Sequence, residues 1–494
     1  MSNRVVIRRL RTGMPGLDGL LGGGLPEFSF NIIAGPPGSG KTTLAHQLMF
    51  SQAGPDARAL YFTVLGEPPL KMLRYQQQFS FFDDAKVRDS IRFVNLSADL
   101  ADGDFSRVLA RIAEEVKNYS PSLVFVDSFR SVVLAAQGGD QDVLSLQHFI
   151  QQLATHMTNW QATTFLIGEY ALPEAVGSPV FTVADGIFWL SQSLHRNAMV
   201  RKIQVIKIRG QAQTPGWHTF RITDAGVQVF PRAILGPAAT GGEAIEASTD
   251  IRLTMGIPIL DDMLGGGLPA GYSLLVVGPS GSGKTVLATQ FLAEGVRLGQ
   301  PGVLAAFEKS PSQLLNDTLD GLVKAGGVGV IETRSLGLSI DEILNDIVTM
   351  IHQRRAKRVV IDSLSGFELA LAPEFSEDFR GSLYRMISVL TGLGVTVLMT
   401  SELEDRYTDL RFSPFGNAFL ADAIVIHRYI EIGGELKRVI SVVKVRGSVH
   451  SSVLRLFTID DDGIKIGQPL SQYEGILSGR PISENRHDHK HRLT

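Results

Sequence analysis

Two short stretches of the chain bring glycines, a lysine and a hydroxyl together in a spacing suited to holding phosphates. The first runs Gly35, Pro36, Pro37, Gly38, Ser39, Gly40, Lys41, Thr42, and Thr43 follows it. The second runs Gly278, Pro279, Ser280, Gly281, Ser282, Gly283, Lys284, Thr285, and Val286 follows. Both fit the pattern GxxxxGK[ST]. Glycines let successive backbone N–H groups converge on phosphate oxygens, and a helix starting there adds the positive end of its dipole. In that setting Lys41 and Lys284 reach the β- and γ-phosphates of a nucleotide, and Thr42 and Thr285 hold Mg²⁺. Two further residues complete the chemistry: Asp127 and Asp362 each end an apolar run. An unpaired carboxylate there is costly, and beside a phosphate loop it contacts Mg²⁺ through water.

The elements that must position these groups follow from the apolar pattern. Short Val/Ile/Leu/Phe runs alternate with longer amphipathic stretches. Strand candidates in the first half are FNIIAG, ALYFTV, SLVFVD and TTFLIG; in the second they are SLLVVG, GVLAAF, RVVIDS and VTVLMT. DFSRVLARIAEEVKNY and SIDEILNDIVTMIHQRR carry helical spacing. Continuous apolar strands alternating with helices predict a parallel sheet covered on both faces. FWLSQ, RKIQVIKIRG and HTFRITDAGVQVF read instead as consecutive strands joined by turns, an antiparallel extension of the sheet.

The same order occurs twice. The segment from Arg9 returns from Arg252 at a constant offset: Lys284 minus Lys41 is 243, and Pro269 minus Pro26 is 243. Asp362 minus Asp127 is 235, so a short deletion intervenes, and the run around Arg209 returns around Arg446. A domain-sized period excludes a solenoid and points to a duplicated domain. The expected layout is a first ATP-binding domain at 1–233, a linker at 234–250 poor in bulky apolar residues, a second domain at 251–481 and a tail at 482–494.

Bulk properties narrow the field. With 494 residues, more than one core is expected. A net charge of -3 gives no general attraction to nucleic acid or anionic membranes. The absence of cysteine excludes disulfides, thiolate metal sites and cysteine nucleophiles. The N-terminal arginines have no apolar stretch behind them, and no apolar run approaches the ~20 residues that span a bilayer. A soluble, cytoplasmic protein is expected.

The double-domain plan, the LDxxLGGGLP box before each phosphate loop and the paired KxRG segments resemble the KaiC family of RecA-like ATPases, from about Arg9 to Pro481. The resemblance implies two tandem RecA-like P-loop NTPase domains of the α/β class and a homohexamer of two stacked rings, with ATP and Mg²⁺ bound between subunits. It also implies a role for late basic residues. Lys207 with Arg209, and Lys444 with Arg446, match residues that reach the nucleotide of the adjacent subunit, where they would neutralise charge on the transferring phosphate.

The sequence departs from the family pattern in three places. Family members carry two adjacent glutamates after the second strand, one of which activates the attacking water. In the second half Glu308 stands and Lys309 is its neighbour, so Glu308 is the candidate base. In the first half, at the 243 offset, Leu65 and Gly66 occupy the pair with Glu67 beyond it, and a one-residue shift puts Glu67 at its second position. The first site is therefore expected to bind ATP chiefly to hold the ring together, with slow turnover through Glu67 or another group left open. Clock-type members phosphorylate a Ser-Thr pair, which is here Ala418 and Phe419; Ser413 nearby reads as a turn residue before a proline. The tail after SGRP is short, which argues against the regulatory partner that a longer tail recruits, and its HDHKH cluster reads as a solvated terminus.

The leading expectation is a KaiC-type ATPase acting as an oligomeric, nucleotide-driven signalling switch with an unidentified regulatory protein as partner. Residual Ser/Thr autokinase activity is a family-implied extra. A RecA-type DNA recombination ATPase is the alternative, and the slight acidity and lack of an appended DNA-binding module count against it. A third reading is a structural scaffold that binds ATP with little turnover.

Overall fold

The computed structural model describes residues 7–64, 69–100, 105–135, 142–171, 178–195, 198–232, 251–307, 317–332, 339–371, 375, 379–403, 420–471, 473–474 and 482–483. The chain divides into two compact units, Met1–Arg232 and Ala233–Thr494. Each contains one nine-stranded sheet.

In the first unit the strands are β1 (Phe30–Gly35), β2 (Ala59–Thr63), β3 (Ile91–Asn95), β4 (Leu123–Asp127), β5 (Thr163–Glu169), β6 (Gly186–His195), β7 (Ala198–Ile208), β8 (His218–Thr223) and β9 (Gly226–Phe230). Their spatial order is β9-β8-β7-β6-β1-β5-β4-β2-β3. The pairs from β6 through β1 to β3 are parallel. Those from β6 to β9 are antiparallel. The mixed sheet arises because helical crossovers join the early strands and short turns join the last four.

The buried strands carry side chains to two covered faces, as the period of two requires. Ile33, Tyr61, Phe125 and Phe165 pack with Leu44 and Leu48 of helix α1 (Lys41–Gln52). Ile32, Leu60, Val124 and Leu166 face the other way, against Ile112 and Val116 of α2 (Phe105–Tyr119) and Ile150 and Leu153 of α3 (Asp142–Asn159). Such continuous burial explains why these strands read as unbroken apolar runs.

The second unit repeats the plan with β10 (Ser273–Gly278), β11 (Gly302–Ala306), β12 (Val328–Glu332), β13 (Arg358–Asp362), β14 (Thr396–Glu402), β15 (Ala423–Ile432), β16 (Glu435–Val445), β17 (Arg455–Asp460) and β18 (Gly463–Pro469). Their order is β12-β11-β13-β14-β10-β15-β16-β17-β18. Helix α4 (Lys284–Arg297) covers one face through Leu287 and Phe291. On the other lie α5 (Ile340–Arg354), with Ile343 and Ile347, and α6 (Phe379–Gly392), with Leu383 and Met386. A capping box, Ser339 with Glu342, starts α5.

In both units the strand carrying the phosphate loop is central. The loop bends into α1 or α4 through glycines in the left-handed region, Gly40 at φ 98° and Gly283 at φ 92°. A side chain at either would also collide, with Ile222 in the first unit and Ile459 in the second. Both β6–β7 and β15–β16 carry a register shift, between Ile187 and Phe188 and between Ile424 and Val425. The extra residue falls immediately before Lys207 in β7 and before Lys444 in β16, and re-aims the strand ends that carry them. The expected linker at 234–250 and the histidine-containing tail lie outside the described residues.

Candidate functional site

The phosphate loop of the first unit connects β1 to α1. Lys41 is 7% exposed and folds back so that Nζ donates to the Pro36 carbonyl at 2.8 Å. Burial lowers its pKa, and Glu169, 4.0 Å away, and Asp127 oppose that shift. The next residue, Thr42, donates its hydroxyl to Asp127 Oδ2 at 2.9 Å. A second hydroxyl reaches the same oxygen: Tyr61, fully buried on β2, donates at 2.8 Å. Burial raises the Asp127 pKa. The bonds from Tyr61 and Thr42 and the charge of Lys41 pull it back, and Glu169 pushes it further up. The resulting cleft, about 820 Å³, also holds Gly38, Gly40 and Thr43.

The second unit assembles the corresponding groups. Lys284 Nζ donates to the carbonyls of Gly278 and Pro279 at 2.8 and 2.9 Å. Thr285 donates to Asp362 Oδ2 at 2.8 Å. Here the other carboxylate oxygen accepts from Thr400 of β14. Leu304 occupies the position that Tyr61 holds in the first unit, at the 243 offset. The loop is further braced by His427, a buried residue whose Nδ1–H donates to the Ser282 carbonyl at 2.9 Å. Burial lowers this histidine to about 4, so it stays neutral. The cleft of about 290 Å³ includes Ser280, Gly281, Gly283, Val286 and Glu402.

These arrangements suit a divalent cation beside a phosphate. Each offers a carboxylate and a hydroxyl 2.8–2.9 Å apart at the start of the loop helix, hard oxygen donors of the kind Mg²⁺ prefers. Among the described residues no group of three or more His, Asp or Glu forms a closed metal cage. Mg²⁺ held by one or two protein oxygens and by substrate phosphates needs none.

The late basic residues lie elsewhere. Lys207 Nζ donates to the Thr182 carbonyl at 3.2 Å, and Lys444 Nζ to the Ala421 carbonyl at 2.8 Å. Arg209 pairs with Asp185 at 3.0 Å and Arg446 with Asp422 at 3.1 Å, each arginine side chain being 60% exposed. None of the four lines the cleft of its own unit. Glu308, Glu67, Ser413, Ala418 and Phe419 lie outside the described residues.

The cleft also contains residues that sequence reasoning missed. Glu169 and Glu402 line the two clefts from the ends of β5 and β14, and Arg201 of β7 lines the first. The repeat contained a signal for Arg201: at the 237 offset that joins Arg209 to Arg446 it matches Arg438.

A sequence profile described as the KaiC ATPase matches residues 10–234 and again 253–471. The chain belongs to the KaiC ATPase family. Full-length KaiC relatives agree. The circadian clock protein KaiC3 of Synechocystis sp. (strain ATCC 27184 / PCC 6803 / Kazusa) is 29% identical over 96% of this chain and 95% of its own length. The circadian clock oscillator proteins KaiC of Picosynechococcus sp. (strain ATCC 27264 / PCC 7002 / PR-6) and Prochlorococcus marinus (strain MIT 9313) are 26% and 27% identical. They cover 96% and 97% of this chain and 92% and 97% of their own lengths. The two profile matches each span one nine-stranded sheet, so each unit is a KaiC-type, RecA-like nucleotide-binding domain. Among the described residues no helix is long and apolar enough to cross a membrane.

Proposed function

We propose that both units bind Mg-ATP and that the chain works as a ring-forming, nucleotide-driven signalling switch in the cytoplasm, with hydrolysis concentrated in the second unit. The observation that carries this reading is the lysine–threonine–aspartate constellation, present in both units at nearly the same distances. In this reading the loop N–H groups of Gly35–Thr43 and Gly278–Val286 cradle the phosphates. Lys41 and Lys284 leave their loop carbonyls for the β- and γ-oxygens. Thr42 with Asp127, and Thr285 with Asp362, hold Mg²⁺, which neutralises charge on the phosphates when bound.

Arg209 and Arg446, with Lys207 and Lys444, serve the site of an adjacent subunit in a homohexamer. Their absence from their own clefts and the exposure of both arginines support this. Glu308 is the candidate base of the second site. The first unit has Leu65 at the equivalent position, which also favours a more structural role for its nucleotide. Because Ala418 and Phe419 carry no hydroxyl, phosphorylation at the clock-type acceptor positions is not part of the proposal. The domain limits 1–233 and 251–481, joined by 234–250, belong to the same reading.

The test is phosphate release under saturating Mg-ATP by K41A and K284A, with native mass spectrometry of each. K284A should abolish most turnover and K41A should chiefly weaken a nucleotide-dependent hexamer. Loss of turnover in K41A alone, with hexamers intact in both, overturns the assignment.

A further inference from the structure

Hydrolysis at either site needs a group to take the proton of the attacking water. In the second unit Glu308 follows the end of β11 by two residues in sequence; at the 243 offset the first unit has Leu65. A carboxylate nevertheless enters the first cleft from a different strand. Glu169 closes β5 in register with Gly35, the first glycine of the phosphate loop. Strand β5 runs between the loop strand β1 and the aspartate strand β4. Its last side chain therefore faces the cleft between Lys41 and Asp127. The carboxylate lies 4.0 Å from Lys41 Nζ and remains 55% exposed, open to water. The second unit repeats the placement, with Glu402 closing β14 in register with Gly278.

We propose that Glu169 is the general base of the first site, so that this site hydrolyses ATP slowly without the carboxylate that Glu308 supplies to the second. The inference rests on the reading that the first unit binds ATP. When Lys41 moves onto the phosphates, Glu169 is released from it at the edge of the γ-phosphate position. The water oxygen bonds to the γ-phosphorus and its proton passes to a Glu169 carboxylate oxygen. The bond from the γ-phosphorus to the β,γ-bridging oxygen breaks, its electron pair stays on that oxygen of ADP, and the proton then leaves Glu169 for solvent. The competing account makes Glu169 only a counter-ion for Lys41. Charge separates the two. A glutamate beside a polyphosphate opposes binding, so neutralising it leaves ATP affinity equal or higher while removing the base.

The experiment uses the full chain with Lys284→Ala silencing the second site. Binding of a fluorescent ATP analogue and single-turnover phosphate release are measured with and without Glu169→Gln. The expected result is release slowed by about 100-fold or more, with affinity unchanged or tighter. An unchanged rate, or a rate and affinity that fall together, overturns the proposal. So does a K284A chain that binds ATP but releases no phosphate, an outcome that leaves the ATP-binding reading intact. Failure to bind ATP at all refutes that reading first and the proposal with it. A second route avoids K284A: the residual release of Glu308→Gln in the otherwise natural chain should vanish when Glu169→Gln is added, and persistence of that release overturns the proposal.

Discussion

The buried histidine behind the first site makes the domain acid-sensitive in a way that can be measured in isolation. His46 on α1 is fully buried, with its ring centroid 4.7 Å from that of Tyr61. Burial lowers its pKa from the ordinary 6.5 to about 3, against the opposing effect of the Gln76 side chain. At pH 7 the imidazole is neutral in both the folded and unfolded chain. At pH 5 the unfolded imidazole is protonated by about 30 to 1, whereas the folded one stays neutral. That protonation stabilises the unfolded state by about 2 kcal/mol. The contribution is thus fully present above pH 6.5, is lost as pH falls, and levels off below about 3. All three tryptophans, Trp160, Trp189 and Trp217, lie in the first unit, so their fluorescence follows its unfolding alone. Urea titrations at pH 7 and pH 5 should show the natural chain losing about 2 kcal/mol more than His46→Leu. The comparison is needed because burial also lowers the His218 pKa, which adds to the natural chain's acid sensitivity. Equal losses in the two chains would refute the argument. So would a change in the tryptophan-monitored loss on His427→Leu, because His427, lowered to about 4, belongs to the second unit.

Tyr61→Phe removes one of the two hydroxyls on Asp127 Oδ2 and should weaken Mg-ATP binding to the first site by about fivefold, a loss of about 1 kcal/mol. Binding titrations in the K284A background read it, and the second site in a K41A background should be unaffected. Arg446→Ala should lower second-site turnover by about 100-fold or more without destabilising the fold; unchanged phosphate release would remove Arg446 from the trans role. Arg358→Met strips the hydrogen bonds that a fully buried guanidinium gives to Thr254, Phe291 and Gln300. It should cost the second unit roughly 2–4 kcal/mol, visible by circular dichroism while the tryptophan-monitored transition stays in place.

The parallel strands that carry the phosphate loops and Asp127 and Asp362 were legible because they are covered on both faces and so read as unbroken apolar runs. Strands β3 and β12 were not among the strand candidates. The exposed Arg92 interrupts IRFVN and a glycine interrupts VGVIE, so neither reads as an unbroken apolar run, and each lies at the sheet's edge, where only one neighbour fixes it. Loop glycines are readable one by one because the backbone chemistry is local. Tyr61 was not: in sequence it is another aromatic in an apolar run. Its bond to Asp127 exists only because β2 lies beside β4 in parallel register, bringing Thr63 opposite Asp127 and Tyr61 two residues back on the same face. Glu169 was hidden for the same reason, since 134 residues separate it from Gly35, its register partner.

The two units therefore differ where the repeat alone suggests equivalence. Both fix the carboxylate at the end of the fourth strand with the hydroxyl of the loop threonine. The remaining support comes from different strands: Tyr61 on β2 in the first unit, Thr400 on β14 in the second. Tyr61 binds the same oxygen as Thr42, whereas Thr400 takes the oxygen that Thr285 leaves. Among the described residues, both donors in the first unit engage one oxygen and leave the other for a cation; in the second, one donor engages each oxygen. The phosphate-binding loop is thus the constant part of the duplicated domain. The groups that hold Asp127 and Asp362 vary with the strands beside it, and in the proposed reading that is where a tight-binding site and a fast-turnover site diverge within one fold.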